Sequence, residues 1–124
     1  MQDEPTPTEL IKAVADFLRN ELTSTIGGHS AFKLRVAINA LDLVTRQLTL
    51  ERSSDAAETA RLTRLLGAQG SLAELNRALA DRIAAGEADL QTPGLAEHLW
   101  QTTMDKLAID QPNYAAYRRE MDVK

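Results

Sequence analysis

The chain contains no cysteine, which removes disulfides, thiolate metal sites and cysteine nucleophiles together. Aromatic residues make up only 4% of its 124 positions, and the two histidines, His29 and His98, stand far apart. No run approaches the roughly 18 continuous apolar residues of a membrane span. The opening residues are acidic and proline-rich, unlike the basic and then apolar start of a secretory leader. A cytoplasmic protein with no membrane contact is the expectation. Lys and Arg total 14 against 18 Asp and Glu, for a net charge of −4. Because the cations are dispersed, the chain carries no electrostatic footprint for nucleic acid.

What is present is 44% hydrophobic and 26% charged residues, the balance of an ordinary globular domain. A chain of this length supports one hydrophobic core. Ala and Leu dominate, which is helix composition. The fold expected is all-α: a compact, single-domain bundle of about five helices. Periodicity and capping place them at about 7–25, 30–50, 54–66, 72–85 and 93–110, with a tail over 113–124.

Local signals set these limits. Thr6-Pro7-Thr8-Glu9 reads as a capping hydroxyl followed by a proline in the first turn. Leu10, Ile11, Val14, Phe17, Leu18 and Leu22 then follow a 3.6-residue period and predict one buried stripe. Gly27-Gly28 stops that helix. Over 30–50, apolar residues cover about two-thirds of the helix circumference and leave a narrow polar sector of Arg35, Asn39, Asp42 and Arg46. A new helix is expected from Ser54, stopping at Gly67. Ser71-Leu72-Ala73-Glu74 is a capping box, and Leu72, Leu75, Leu79 and Ile83 form the stripe behind it. Gly86 suits a helix C-terminus, and Thr92-Pro93 repeats the start signal.

The chemistry-bearing motifs are sparse. Gly67-Ala68-Gln69-Gly70-Ser71 lacks the spacing and lysine of a phosphate loop; a helix stop followed by an N-cap accounts for it. His98 falls on a polar arc with Glu97, Gln101 and Asp105 and reads as a solvated helix residue. His29 sits in the loop beside Gly27-Gly28. Neither histidine has the nucleophile and orienting carboxylate of a hydrolytic site, and no metal or cofactor is implied. The chain therefore reads as a non-enzyme.

Five polar residues project toward apolar sectors or head narrow polar ones. Asn76 lies within the Leu72–Ile83 stripe, and Glu21 projects toward the Leu10–Val14–Phe17 face; both are expected to be buried. Arg35 and Asn39 stand one turn apart, and Lys106 shares a sector with Leu95, Leu99 and Ile109. Two readings stay open. Either these groups satisfy one another, with Arg35 pairing to Glu21 and Asn76 to a facing backbone, or Arg35, Asn39 and Lys106 contact another molecule.

Three segments carry a family resemblance: Ala31-Phe32-x-x-Arg35-Val36-Ala37-x-Asn39-x-Leu41, Gly70-Ser71-Leu72-x-Glu74-Leu75-Asn76, and Lys106-Leu107-Ala108-Ile109-x-x-Pro112-x-Tyr114. Gln2-Asp3 and the Leu10–Leu22 helix fit as well. The chain resembles a bacterial family of small helical proteins of unknown function, encoded beside phosphotransferase-like kinases and acyl-CoA dehydrogenases. One member resembles the small accessory subunit of the levulinate-pathway 4-hydroxyacyl-CoA kinase. The resemblance implies a kinase partner and transfers no catalytic residue. The chain itself has no kinase phosphate loop or catalytic-loop Asp, so a non-catalytic accessory subunit is the leading expectation. A self-associating helical domain that binds a small acyl or CoA-type ligand is the alternative.

Overall fold

The computed structural model describes residues 3–123; Gln2, part of the resemblance above, lies outside them. Of the described residues 77% are helical and none is in a strand. The all-α expectation holds. In chain order the helices are α1 (Pro7–Phe17), α2 (Gly28–Leu66), α3 (Leu72–Ala84), α4 (Leu95–Asp110) and α5 (Ala115–Val123), with a π-helical turn, Leu18–Leu22, directly after α1. They fall into two compact units, one up to residue 51 and one from residue 52 onward.

Capping chemistry sets the helix starts of α1 and α3. Thr6 Oγ1 accepts from the Glu9 amide at 3.2 Å, with proline in the first turn. Ser71 and Glu74 form a reciprocal box, Glu74 N to Ser71 Oγ at 3.1 Å and Ser71 N to Glu74 Oε2 at 2.9 Å. The expected helix over 7–25 ends sooner as an α-helix. At its close the Thr23 amide and hydroxyl both donate to Leu18 O, at 3.1 and 3.0 Å, and this i→i+5 bond makes the π turn.

The expected break between 50 and 54 is absent, and α2 runs through it. No glycine or proline occurs between His29 and Leu66, so no backbone constraint interrupts the ladder. Ser54 precedes Asp55-Ala56-Ala57-Glu58, but a serine caps only where the chain before it leaves helical geometry. Hydroxyls along α2 are absorbed internally instead: Thr45, Thr49 and Thr59 each donate to the carbonyl four residues back, at 2.8–2.9 Å. The tail expected over 113–124 forms α5.

Helix α4 begins two residues later than the Thr92-Pro93 signal predicts. The Thr92 hydroxyl accepts from the Asp89 amide at 3.0 Å, while Asp89 Oδ1 accepts from the Gln91 amide at 2.8 Å. Thr92 therefore closes the preceding turn. The residue before α4 is Gly94, at φ 86°, and no side chain caps this helix. A Cβ at Gly94 would lie 3.3 Å from Leu65 Cδ2.

Apolar burial differs sharply between the units. In the second, Leu62, Leu66, Leu75, Leu79, Ala88 and Leu95 form the core, with Leu72 and Ala78 packed against it. In the first, Ala15 and Ile38 are the buried hydrophobics. The single buried stripe expected for α1 is corrected: Leu10, Val14 and Phe17 are 45%, 51% and 49% exposed, while Ile11, Leu18 and Leu22 are half-buried. The latter three lie about 100° around the helix from the former, so only one flank of a wide stripe is covered.

Leu62 has no accessible surface. Leu62→Ala is therefore expected to lower unfolding free energy by about 2–5 kcal/mol. Val14→Ala, half exposed, is expected to cost under about 1 kcal/mol. Urea denaturation followed by circular dichroism checks the contrast.

Candidate functional site

The densest polar arrangement lies in the second unit, where α2 meets α4. On α4, Leu95, His98, Thr102 and Asp105 recur at spacings of three, four and three and so share one face. Opposite them on α2 stands Arg61. Its Nε donates to His98 Nδ1 at 3.1 Å, and its Nη2 donates to Thr102 Oγ1 at 3.3 Å. Asp105 Oδ2 is 3.9 Å from the same Nη2. The Arg61 side chain is 17% exposed and His98 only 2%. The solvated reading of His98 is thereby corrected: it faces the α2 side of its helix and is among the largest fully enclosed side chains.

This geometry settles the histidine's proton. Guanidinium N–H only donates, so Nδ1 must be the bare, accepting nitrogen and Nε2 carries the hydrogen. Burial, and next the Arg61 charge, push the imidazole below its ordinary value, with Glu58 pulling weakly the other way. A neutral His98 offers one N–H donor at Nε2, while its Nδ1 lone pair is engaged by Arg61. Glu58 is itself tied, accepting from Asn76 Nδ2 at 3.3 Å.

Two concavities flank this cluster. A groove of about 620 Å³ is lined by Ser53, Ser54, Arg61, Arg64, Gln101 and Asp105 among others. A cavity of about 410 Å³ is lined by Arg61, Arg64, Thr92, Gly94, Glu97 and His98 among others. Both lie in the size range of small-molecule sites, about 300–1,000 Å³. Among the described residues no group of three or more His, Asp or Glu is placed to hold a metal ion.

The residues singled out from sequence are distributed differently. Arg35 and Asn39 are exposed on α2 within the first unit, and Lys106 is exposed on α4 within the second. Glu21 and Asn76, expected to be buried, are both exposed. Asn76 donates to Leu72 O at 3.1 Å as well as to Glu58, so local bonds on the rim of the stripe satisfy it. Arg35 does not pair with Glu21; Arg19 Nη2 instead makes a cross-helix ion pair to Asp42 Oδ2 at 2.6 Å. Asp16 accepts from the same guanidinium at 3.0 Å, and these two carboxylates raise the arginine's pKa further. His29 lies within α2, exposed, its ring stacked on Phe32 with centroids 6.3 Å apart. The signal missed was the shared face of Leu95, His98, Thr102 and Asp105, readable from spacing alone.

His98 is held neutral in the folded chain, so the unfolded chain takes up its proton first. The stabilisation is complete above the ordinary imidazole value of about 6.5 and is lost as pH falls through it toward the lowered folded value. Wild-type melting temperature is expected to fall between pH 7.5 and 5.5. His98→Asn, which keeps an acceptor for Arg61 but does not titrate, is expected to show a flatter profile. Parallel slopes would contradict the assignment.

Residues 24–114 match a family model described as a domain of unknown function, DUF6285, and the chain belongs to that family. No curated protein and no solved structure matches it.

Proposed function

We propose that this DUF6285 protein is a non-catalytic accessory subunit that docks onto a larger phosphotransferase-like kinase, one acting on hydroxyacyl-CoA substrates. The observation that carries the docking role is the apolar surface of the first unit. Leu10, Val14 and Phe17 on α1 and Phe32, Val36, Val44 and Leu48 on α2 are each 39–56% exposed. Scattered exposed apolar residues are ordinary, but contiguous helical stripes of them mark interaction surfaces. Leu10, Val14 and Phe17 form such a stripe by spacing alone. The kinase as occupant rests on the family resemblance of the Arg35–Leu41, Gly70–Asn76 and Lys106–Tyr114 segments.

In this reading Arg35 and Asn39 flank the apolar residues of α2 and supply polar contacts at the rim of the interface, where such groups select a partner more than they strengthen its binding. The partner supplies the phosphate-binding loop and the metal-dependent chemistry. The accessory chain completes or steadies it.

Co-expression with a phosphotransferase-like kinase of the kind the resemblance implies tests the reading. Wild-type protein is expected to co-elute with the kinase in size-exclusion chromatography. Val14→Asp and Phe17→Asp are expected to weaken association at least about tenfold, since a charge must be desolvated at the interface, with helical content unchanged. Failure to associate, or association indifferent to both substitutions, overturns it. Concentration-dependent self-association lost in the same variants would instead favour a homo-oligomer.

A further inference from the structure

The cavity at the start of α4 gathers more cationic donors than the protein itself uses. Arg61 commits Nε to His98 and Nη2 to Thr102. Arg64, one turn further along α2, is exposed and makes no hydrogen bond or ion pair among the described residues. His98 Nε2 bonds to no protein group, yet no enclosed side-chain nitrogen or oxygen among the described residues lacks a partner. This N–H therefore keeps a sliver of accessible surface, although His98 is only 2% exposed, and His98 is one of the residues that line the cavity. The same cavity includes Gly94, the uncapped amino end of α4, where the helix dipole favours negative charge. Glu97 is the one carboxylate on this wall, against two arginines.

We propose that this cavity binds the phosphate group of a small molecule, held by Arg61, Arg64 and the Nε2–H of His98 at the amino end of α4. A phosphate rather than a carboxylate fits because the donors converge from two helices. A planar carboxylate presents two oxygens, while a phosphate monoester presents three to donors arriving from several sides. Arg61, Arg64 and Glu97 also line the adjoining groove, where Gln101 and Asp105 stand. Acceptors in that groove suit the hydroxyls of a polar organic remainder, so a hydroxylated phosphate ester fits the pair of concavities. The site lies wholly in the second unit and does not depend on the docking surface of the first.

Isothermal titration calorimetry on the full chain at pH 7.5 and fixed ionic strength tests this with inorganic phosphate, glycerol 3-phosphate and acetate. Both phosphates are expected to bind saturably at one site, and acetate is not. Tighter binding of glycerol 3-phosphate assigns the site to an ester; equal or tighter binding of inorganic phosphate assigns it to the free anion. Arg64→Ala, at an exposed position with no internal partner, is expected to fold normally and to weaken either phosphate by roughly tenfold or more. His98→Asn, which shortens the donor, is expected to weaken it as well, and Lys106→Ala is not. Absence of saturable heat, unchanged affinity in Arg64→Ala, or acetate binding as well as phosphate would overturn the proposal.

Discussion

The hydrogen bond from Arg61 to His98 governs the second unit of this protein. It places a permanent cation against an enclosed imidazole, an arrangement tolerable only while the ring stays neutral. That condition fixes the tautomer, and the tautomer decides which nitrogen faces the cavity. It also determines what Arg61 can do with its remaining donors, since one is already turned toward Thr102 and Asp105. A single contact thus links the packing of α2 against α4 to the chemistry of the concavities beside it. Arg64, without such a commitment, keeps its charge at the opening.

The two units divide their tasks by where apolar surface goes. From residue 52 on, leucines from α2, α3 and α4 converge on one cluster, and polar groups are drawn into specific bonds around it. Up to residue 51, apolar residues are as abundant but largely uncovered, and ion pairs such as Arg19 with Asp16 and Asp42 stay at the surface, where they add little stability. A helix that is apolar over most of its circumference needs cover on several sides. Residues 28–51 of α2 do not receive it within their own unit.

Much of the fold was legible because capping is local. Ser71 and Glu74 lie three residues apart, and their geometry follows from that spacing whatever packs above them. The uninterrupted α2 was harder to read, since Ser54 carries the right side chain for a cap and only the backbone around it decides whether it acts as one. Thr92 failed for a related reason: its hydroxyl had a nearer amide to satisfy, that of Asp89. The site was less legible. A helical wheel assigns His98 to a polar arc, but the burial of that arc depends on Arg61, 37 positions earlier in the chain. Asn76 and Glu21 erred in the opposite sense: each lay near an apolar stripe by angle, yet a long stripe buries its centre before its margins. The uncovered half of α1 followed the same rule.

Gly94 has an evolutionary consequence. Its left-handed backbone disfavours any side chain, and the methyl of even the smallest would press on Leu65 Cδ2. Retreat of Leu65 to a shorter residue would relieve the crowding but not the dihedral, so two separate obstacles guard one corner. Any replacement at Gly94 therefore has to meet both the positive φ and the neighbouring Leu65 methyl. The threshold of α4 thereby tolerates substitution less than the exposed Pro93 and Gln91 beside it, which carry neither constraint.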